Sequence, residues 1–252
     1  MTVTFGSLFA GIGGLDLGLE RAGMRCAWQV EIDPFCRRVL AKHWPDVQRF
    51  EDVKDVGRDS LPAVDLIAGG FPCQPYSSAG KQRGAEDDRN LWPEYRRIVA
   101  ELRPRYVLAE NVLGIVSTYL DTVLSDMEQL GYTWGAFDIP AVAFNAPHRR
   151  ERIFVVAYTT GDRRDGGQRK DEYKRQHDPM GRDQQLVGNG SNRVMACAGH
   201  AGHWDAEPAV GRVADGVPRR VDRLRALGSA VLPQVAEWIG RRIVAIEEAI
   251  TQ

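Results

Sequence analysis

Apolar positions along the chain follow two rhythms that alternate from the first residues onward. Short bursts of consecutive or alternating apolar residues predict strands over 3–9, 25–31, 64–68, 106–109, 133–139 and 152–158. Between them apolar residues recur every three or four positions, as in Leu15, Leu19 and Ala22 ahead of Gly23, and over 34–43, Glu94 to Leu102 and Ser117 to Leu130. Strands alternating with helices of this length predict an α/β domain built on a parallel, doubly wound sheet. At Thr159 the texture changes. Residues 160–210 are rich in Gly, Asp, Arg, Gln and His and carry little apolar periodicity. A small variable subdomain or a long loop is expected there, and a loop of such length inside a domain is more often functional than not. Helical spacing returns with Leu232, Val235, Ile239, Ile243 and Ile246, which predicts a closing amphipathic helix packed back on the sheet. The chain thus divides into a main domain at 1–159, an irregular region at 160–226 and a C-terminal helix at 227–252.

Composition narrows the class. With 252 residues, 43% hydrophobic and 27% charged, the chain reads as soluble and globular rather than disordered. No stretch approaches the ~18 apolar residues of a membrane span, and a strand-like run starts at Val3 where a signal peptide would lie. A cytoplasmic protein with no membrane partner is expected. The net charge of -1 does not favour nucleic-acid binding, which needs a local basic face. Arg149, Arg150 and Arg152, then Arg219, Arg220, Arg223 and Arg225, are the candidates for one; on charge alone they read as solvated surface arginines. Cys26, Cys36, Cys73 and Cys197 show no paired spacing, so no disulfide framework is expected. Cys26 and Cys36 sit in apolar runs and read as small buried hydrophobes. Cys197, His200 and His203 are three apart, but only Ala and Gly intervene and no second ligand pair is evident, so no metal is expected.

Three constellations carry chemistry. Phe9-Ala10-Gly11-Ile12-Gly13-Gly14 follows a strand and opens a helix, the setting in which a glycine turn lets backbone approach a nucleotide-like cofactor. Glu31 ends the next strand, where a carboxylate can accept hydrogen bonds from both ribose hydroxyls. Leu15 and Asp16 depart from the full dinucleotide pattern, and a tight turn with a surface glutamate is the alternative. Gly70-Phe71-Pro72-Cys73-Gln74-Pro75 follows a buried strand, so Cys73 lies on a proline-stiffened loop beyond a strand end, a place for a nucleophilic thiolate. Glu110, in Glu110-Asn111-Val112, ends another strand; a buried carboxyl there can hold a proton for a ring nitrogen.

The runs LFAGIGG, GFPCQP, ENV and HRRERIF, in this order, resemble the motifs of DNA cytosine-5 methyltransferases of compact phage or restriction–modification type. The resemblance spans residues 3–158 and, less closely, the last helix. It implies a mixed, mostly parallel seven-stranded sheet of the S-adenosylmethionine-dependent methyltransferase type. It also implies a target-recognition region, here 160–226, and double-stranded DNA as partner, with a cognate restriction endonuclease a possible companion of a monomeric enzyme. Residue by residue, Phe9, Gly11 and Gly13 would line the cofactor pocket, Glu31 would hold the ribose, and Asp52 and Val53 would flank the adenine. Cys73 would be the nucleophile, Glu110 would engage the cytosine edge, and Arg150 and Arg152 would hold the active site. Residues 76–91 resemble the loop that closes over DNA. His148 stands where the family usually has Gln, and Ser229 where it usually has Asn. Ser229 is expected to cap the closing helix and to support the active site less well than Asn. A tRNA methyltransferase on the same scaffold and a non-catalytic DNA-binding relative are the alternatives.

Overall fold

The computed structural model describes residues 2–72, 90–146, 150–159 and 220–251. Seven strands form one sheet: β1 (Thr4–Leu8), β2 (Arg25–Val30), β3 (Gln48–Phe50), β4 (Leu66–Gly70), β5 (Tyr106–Val112), β6 (Thr133–Asp138) and β7 (Arg152–Tyr158). Six helices accompany it: α1 (Gly14–Arg21), α2 (Pro34–His43), α3 (Trp92–Leu102), α4 (Leu120–Gln129), α5 (Arg220–Ser229) and α6 (Pro233–Thr251). The spatial order is β3-β2-β1-β4-β5-β7-β6. β1 to β5 are mutually parallel, whereas β7 runs antiparallel to both β5 and β6.

The connections explain this order. Helical crossovers return the chain to the same sheet edge and so give parallel pairs. Among the described residues between β6 and β7 there is one short 3-10 turn, Ala141–Phe144, and no crossover helix. β7 doubles back and inserts between β5 and β6, which makes the sheet mixed, as the family resemblance implies; the simple alternation of elements does not show this. β3 was not visible in the apolar pattern, because its three residues Gln-Arg-Phe are only partly buried.

Alternation along the strands distributes their side chains to two cores. On one face Val107 and Ala109 of β5 pack with Tyr95, Ile98 and Val99 of α3 and Val123 and Met127 of α4. On the other, Tyr106 and Leu108 pack with Leu15 and Leu19 of α1, Leu40 of α2, and Val235, Ile239 and Ile243 of α6. Cys26 and Cys36 are buried free thiols, as expected. Among the described residues no helix is long and apolar enough to cross a membrane. Helix α5 spans the boundary expected at residue 226, and the region before it, with Cys197, His200, His203 and Arg219, lies outside the described residues.

The closing helix lies flush against α1 because α1 carries glycine where the two backbones meet. A β-carbon built on Gly18 would stand 2.2 Å from the Pro233 carbonyl oxygen and 2.5 Å from the Ala236 β-carbon. The Pro233 oxygen is backbone and cannot rotate away. Gly18→Ala is therefore expected to force α1 and α6 apart and to lose about 1–3 kcal/mol, the scale of core overpacking. Urea unfolding measures this; an unchanged midpoint would mean that the helices do not meet through this residue.

Candidate active site

The glycine turn stands at the carboxyl end of β1, with Phe9, Gly11 and Gly13 all at positive φ (53°, 57° and 82°). The two glycines differ in what they face. Beyond its chain neighbours, no atom of the described residues lies within 4 Å of a β-carbon built on Gly11, whereas one on Gly13 would stand 2.5 Å from the Trp44 ring. Gly11 thus borders open space, and Gly13 lets α2 pack close. Glu31 fastens the turn: Gly11 N donates to its Oε2 and Asp33 N to its Oε1, both at 2.7 Å. Burial pushes the Glu31 carboxyl above its ordinary range, against the pull of those two amides. Asp33 also caps α2, accepting from Phe35 N at 2.7 Å and Cys36 N at 3.1 Å ahead of Pro34. Between Glu31 and Asp33, Ile32 is 65% exposed. It went unremarked in the sequence because it lies just past the strand-like run; the available signal was an apolar residue wedged between two acids.

Asp16, which breaks the dinucleotide pattern, is fully buried beneath the turn. It accepts from Ser7 Oγ at 2.9 Å and Gln29 Nε2 at 2.8 Å, joining α1 to β1 and β2. Burial raises its pKa to about 6, with those hydrogen bonds pulling the other way. Beyond β3, Asp52 accepts from Lys54 N at 2.9 Å and Val53 is buried. Arg97 of α3 holds this segment through the Val53 and Val56 carbonyls, at 2.9 and 3.0 Å.

Glu110 lies near the carboxyl end of β5 and is almost wholly buried. Val112 of β5 is paired with Arg152, the first residue of β7, so the reversal of β7 delivers an arginine to the edge where the parallel strands end. Arg152 Nε meets Glu110 Oε1 at 3.0 Å. Burial raises the Glu110 pKa to about 7, although Arg152 and then Arg150 pull it down. Arg150, at φ 33°, donates to the carbonyls of Gly228, at 2.8 Å, and Ala230. It thereby ties the α5–α6 turn to the base of β7. Ser229 lies within that turn, at the end of α5 and not at the start of the closing helix. Its hydroxyl donates back toward the carbonyls of Arg225 and Ala226, at 3.2 and 3.3 Å, so it finishes α5 rather than capping α6. Of the candidate basic face, Arg152 and Arg150 are engaged inward, while Arg225 is largely exposed and 3.8 Å from Asp33.

Asn111 had no assigned role in the sequence reading. Its buried amide donates to the Phe71 carbonyl at 3.1 Å, two residues before Cys73, and its oxygen accepts from Val112 N at 2.9 Å. The Phe71 ring packs on Trp92 and Tyr95, with centroids 5.1 and 6.3 Å apart, and Tyr95 stacks toward Phe9 at 6.4 Å. One aromatic cluster thus underlies both the glycine turn and the strand end before Cys73. Cys73 itself, His148, Arg149 and most of the 76–91 segment lie outside the described residues.

A sheet of this order, with a glycine turn after β1 and a paired carboxyl near the end of β5, defines an α/β domain of the methyltransferase class. In structure it is similar to a prophage-encoded protein of Escherichia coli assigned as a DNA modification methyltransferase, with a TM-score of 0.53, 31% identity, and coverage of 63% of this chain and 47% of that one. The chain belongs to the C-5 cytosine-specific DNA methylase family, whose model matches residues 3–193. Among curated relatives, type II methyltransferase M.Eco47II of Escherichia coli is 41% identical over 162 residues, 60% of this chain and 38% of that protein. Type II methyltransferase M.HhaI of Haemophilus parahaemolyticus is 35% identical over 159 residues, 61% of this chain and 48% of that protein. The chain spans less than half the length of these two relatives.

Asn111→Ala would leave the buried Phe71 carbonyl without its donor. The expected loss is about 1–3 kcal/mol, the cost of an unsatisfied buried acceptor, read by urea unfolding against the parent chain. A change within error would mean that water or another donor replaces the amide.

Proposed function

We propose that this chain transfers a methyl group from S-adenosylmethionine to C5 of cytosine in double-stranded DNA, with Cys73 as nucleophile and Glu110 as the acid that engages the base. The observation that carries the reading is a buried carboxyl group with a pKa near 7, held by Arg152 at a strand end, beside the strand that leads into Phe71-Pro72-Cys73. A carboxyl group in this state exchanges its proton near neutral pH, so a substantial fraction is protonated there and can donate.

The turn and its surroundings fit the cofactor. Gly11 borders open space, Glu31 at the end of β2 would accept from ribose hydroxyls, and the exposed apolar Ile32 would lie against the adenine. Phe9, Gly13, Asp52 and Val53 complete the proposed pocket. When bound, S-adenosylmethionine supplies an electrophilic methyl group. The chain's own residues must make a poorly nucleophilic carbon reactive. The Cys73 thiolate adds to C6 while Glu110 gives its proton to N3, which turns the C5–C6 unit into an enamine. Once C5 has taken the methyl group, its proton passes to water, the Cys73 thiolate leaves, and N3 returns its proton to Glu110, which restores the aromatic ring. Arg152 holds the Glu110 carboxyl group, and Arg150 holds the neighbouring backbone. Cytosine inside a duplex is out of reach of these groups, so the base must be flipped out, at a cost of a few kcal/mol. Residues 160–226 are proposed to read the DNA sequence, and 227–252 to complete the catalytic domain. The enzyme is proposed to be monomeric and cytoplasmic; a restriction endonuclease as its companion draws on relatives named as type II methyltransferases.

Cys73→Ser is expected to abolish methyl transfer from labelled cofactor to DNA, and the parent chain to form a covalent adduct with DNA carrying 5-fluorocytosine. Normal turnover by the serine variant would remove Cys73 from the mechanism, and transfer to tRNA but not DNA would change the substrate. A second expectation concerns pH. Because Glu110 acts in its protonated form, its contribution to the single-turnover rate should fall as pH rises through about 7. It is read as the ratio of the parent rate to that of Glu110→Gln, in which ionisation of Cys73, common to both chains, cancels. A ratio flat from pH 6 to pH 9, roughly one unit below to two above that value, would show that no such acid is used.

A further inference from the structure

We propose that Gly70 is a positioning residue for Glu110: the missing side chain at this strand position leaves the space in which the Glu110 carboxyl group lies. The proposal rests on the reading of Glu110 as the group that engages the cytosine edge. β4 and β5 are parallel neighbours, and Gly70 and Glu110 are partners in register. Leu66 and Ala68 of β4 share a core with Tyr106 and Leu108 of β5. Alternation therefore puts position 70 on the face from which Glu110 projects. A β-carbon built on Gly70 would stand 2.5 Å from Oε2 of Glu110, with the Glu110 Cδ at 3.6 Å and Cβ at 3.9 Å as its next neighbours. All three of the nearest atoms belong to one side chain. Gly69 makes the contrast: a β-carbon there would meet the Leu8 carbonyl oxygen at 2.4 Å, which is the backbone of β1.

Gly70 lies in regular strand, so no unusual backbone conformation demands glycine there. Glycine within a strand weakens it and commonly marks a close approach. Here the approach is by the carboxyl group. Its other oxygen, Oε1, holds Arg152 Nε at 3.0 Å. A methyl group at position 70 must displace the first oxygen, and because the carboxyl group is rigid the second moves with it. Position 70 thus sets both where the acid points and how it meets its arginine.

The test is Gly70→Ala, with Gly135→Ala as control, where the added methyl meets only the Phe137 ring, at 3.0 Å, on the edge strand β6. Three quantities are read: single-turnover methylation of duplex DNA, calorimetric affinity for S-adenosylmethionine, and titration of the Glu110 carboxyl group by NMR in labelled protein. Gly70→Ala is expected to slow methylation roughly tenfold to a hundredfold, as for a reacting group misplaced by about an ångström. Cofactor affinity should hold within about twofold, while the Glu110 titration moves. The control should leave rate and titration unchanged. In a Glu110→Asp background the carboxyl group is withdrawn by one methylene, so adding Gly70→Ala should slow that variant by less than about twofold. That double variant also relieves the crowding if the single one folds poorly. Effects that multiply in the double variant, or a Gly70→Ala chain with the parent's rate and titration, would overturn the proposal. If the parent does not methylate DNA, the functional reading fails and the titration decides alone: a Glu110 group that titrates identically in both chains would overturn the link to Gly70.

Discussion

A carboxyl group sealed from water at the end of a strand is the constraint around which the rest of this site is arranged. Left alone, such a group would either stay permanently protonated or lose several kcal/mol of hydration on ionising, on the order of the penalty for any buried ion. Glu110 escapes both extremes because Arg152 lies 3.0 Å away. Burial pushes its pKa up, the arginines pull it back, and the balance rests near 7. That balance depends on topology. Arg152 reaches Glu110 only because β7 runs against β5 and begins where β5 ends.

The same edge gathers the other groups. In a parallel sheet every strand ends on one side, and here β1, β2 and β4 lead into the glycine turn, Glu31 and Phe71, while β5 carries Glu110 near its end. The order β3-β2-β1-β4-β5 changes direction between β1 and β4, the switch point beyond which open α/β sheets bind their ligands. Backbone and side-chain bonds then fix each group locally. Glu31 grips Gly11 N, Asn111 grips the Phe71 carbonyl, and Arg150 grips the turn between α5 and α6. The site is thus a set of short tethers on a rigid sheet, with α6 and α1 bracing the glycine turn from below.

Much of this was legible in the residues. Strong apolar periodicity revealed six strands and the closing helix. The spacing of glycines, prolines and acids after strand-like runs singled out the chemistry-bearing groups, because a residue past a strand end must lie at the sheet edge whatever the tertiary details. β3 escaped notice because three half-buried residues carry no period. Asn111 had no assigned role because its importance lies in the Phe71 carbonyl opposite, and Ile32 because it lies just past a strand-like run. Ser229 was placed on the wrong helix, since Gly228 and Ala230 alone do not reveal that a separate α5 ends there.

What the sequence determined by itself was most of the succession of elements and the family, and it singled out the side chains proposed to react. Each of these depends on local order along the chain: period, turn residues and motif. Tertiary structure alone decided which groups meet. The reversal of β7, the pairing of Glu110 with Arg152, the space left by Gly70 and the clamp of Arg150 on the α5–α6 turn join residues 40 to 80 positions apart. Contacts over such separations follow from strand order and register, and those are set by how the whole sheet packs between its helices.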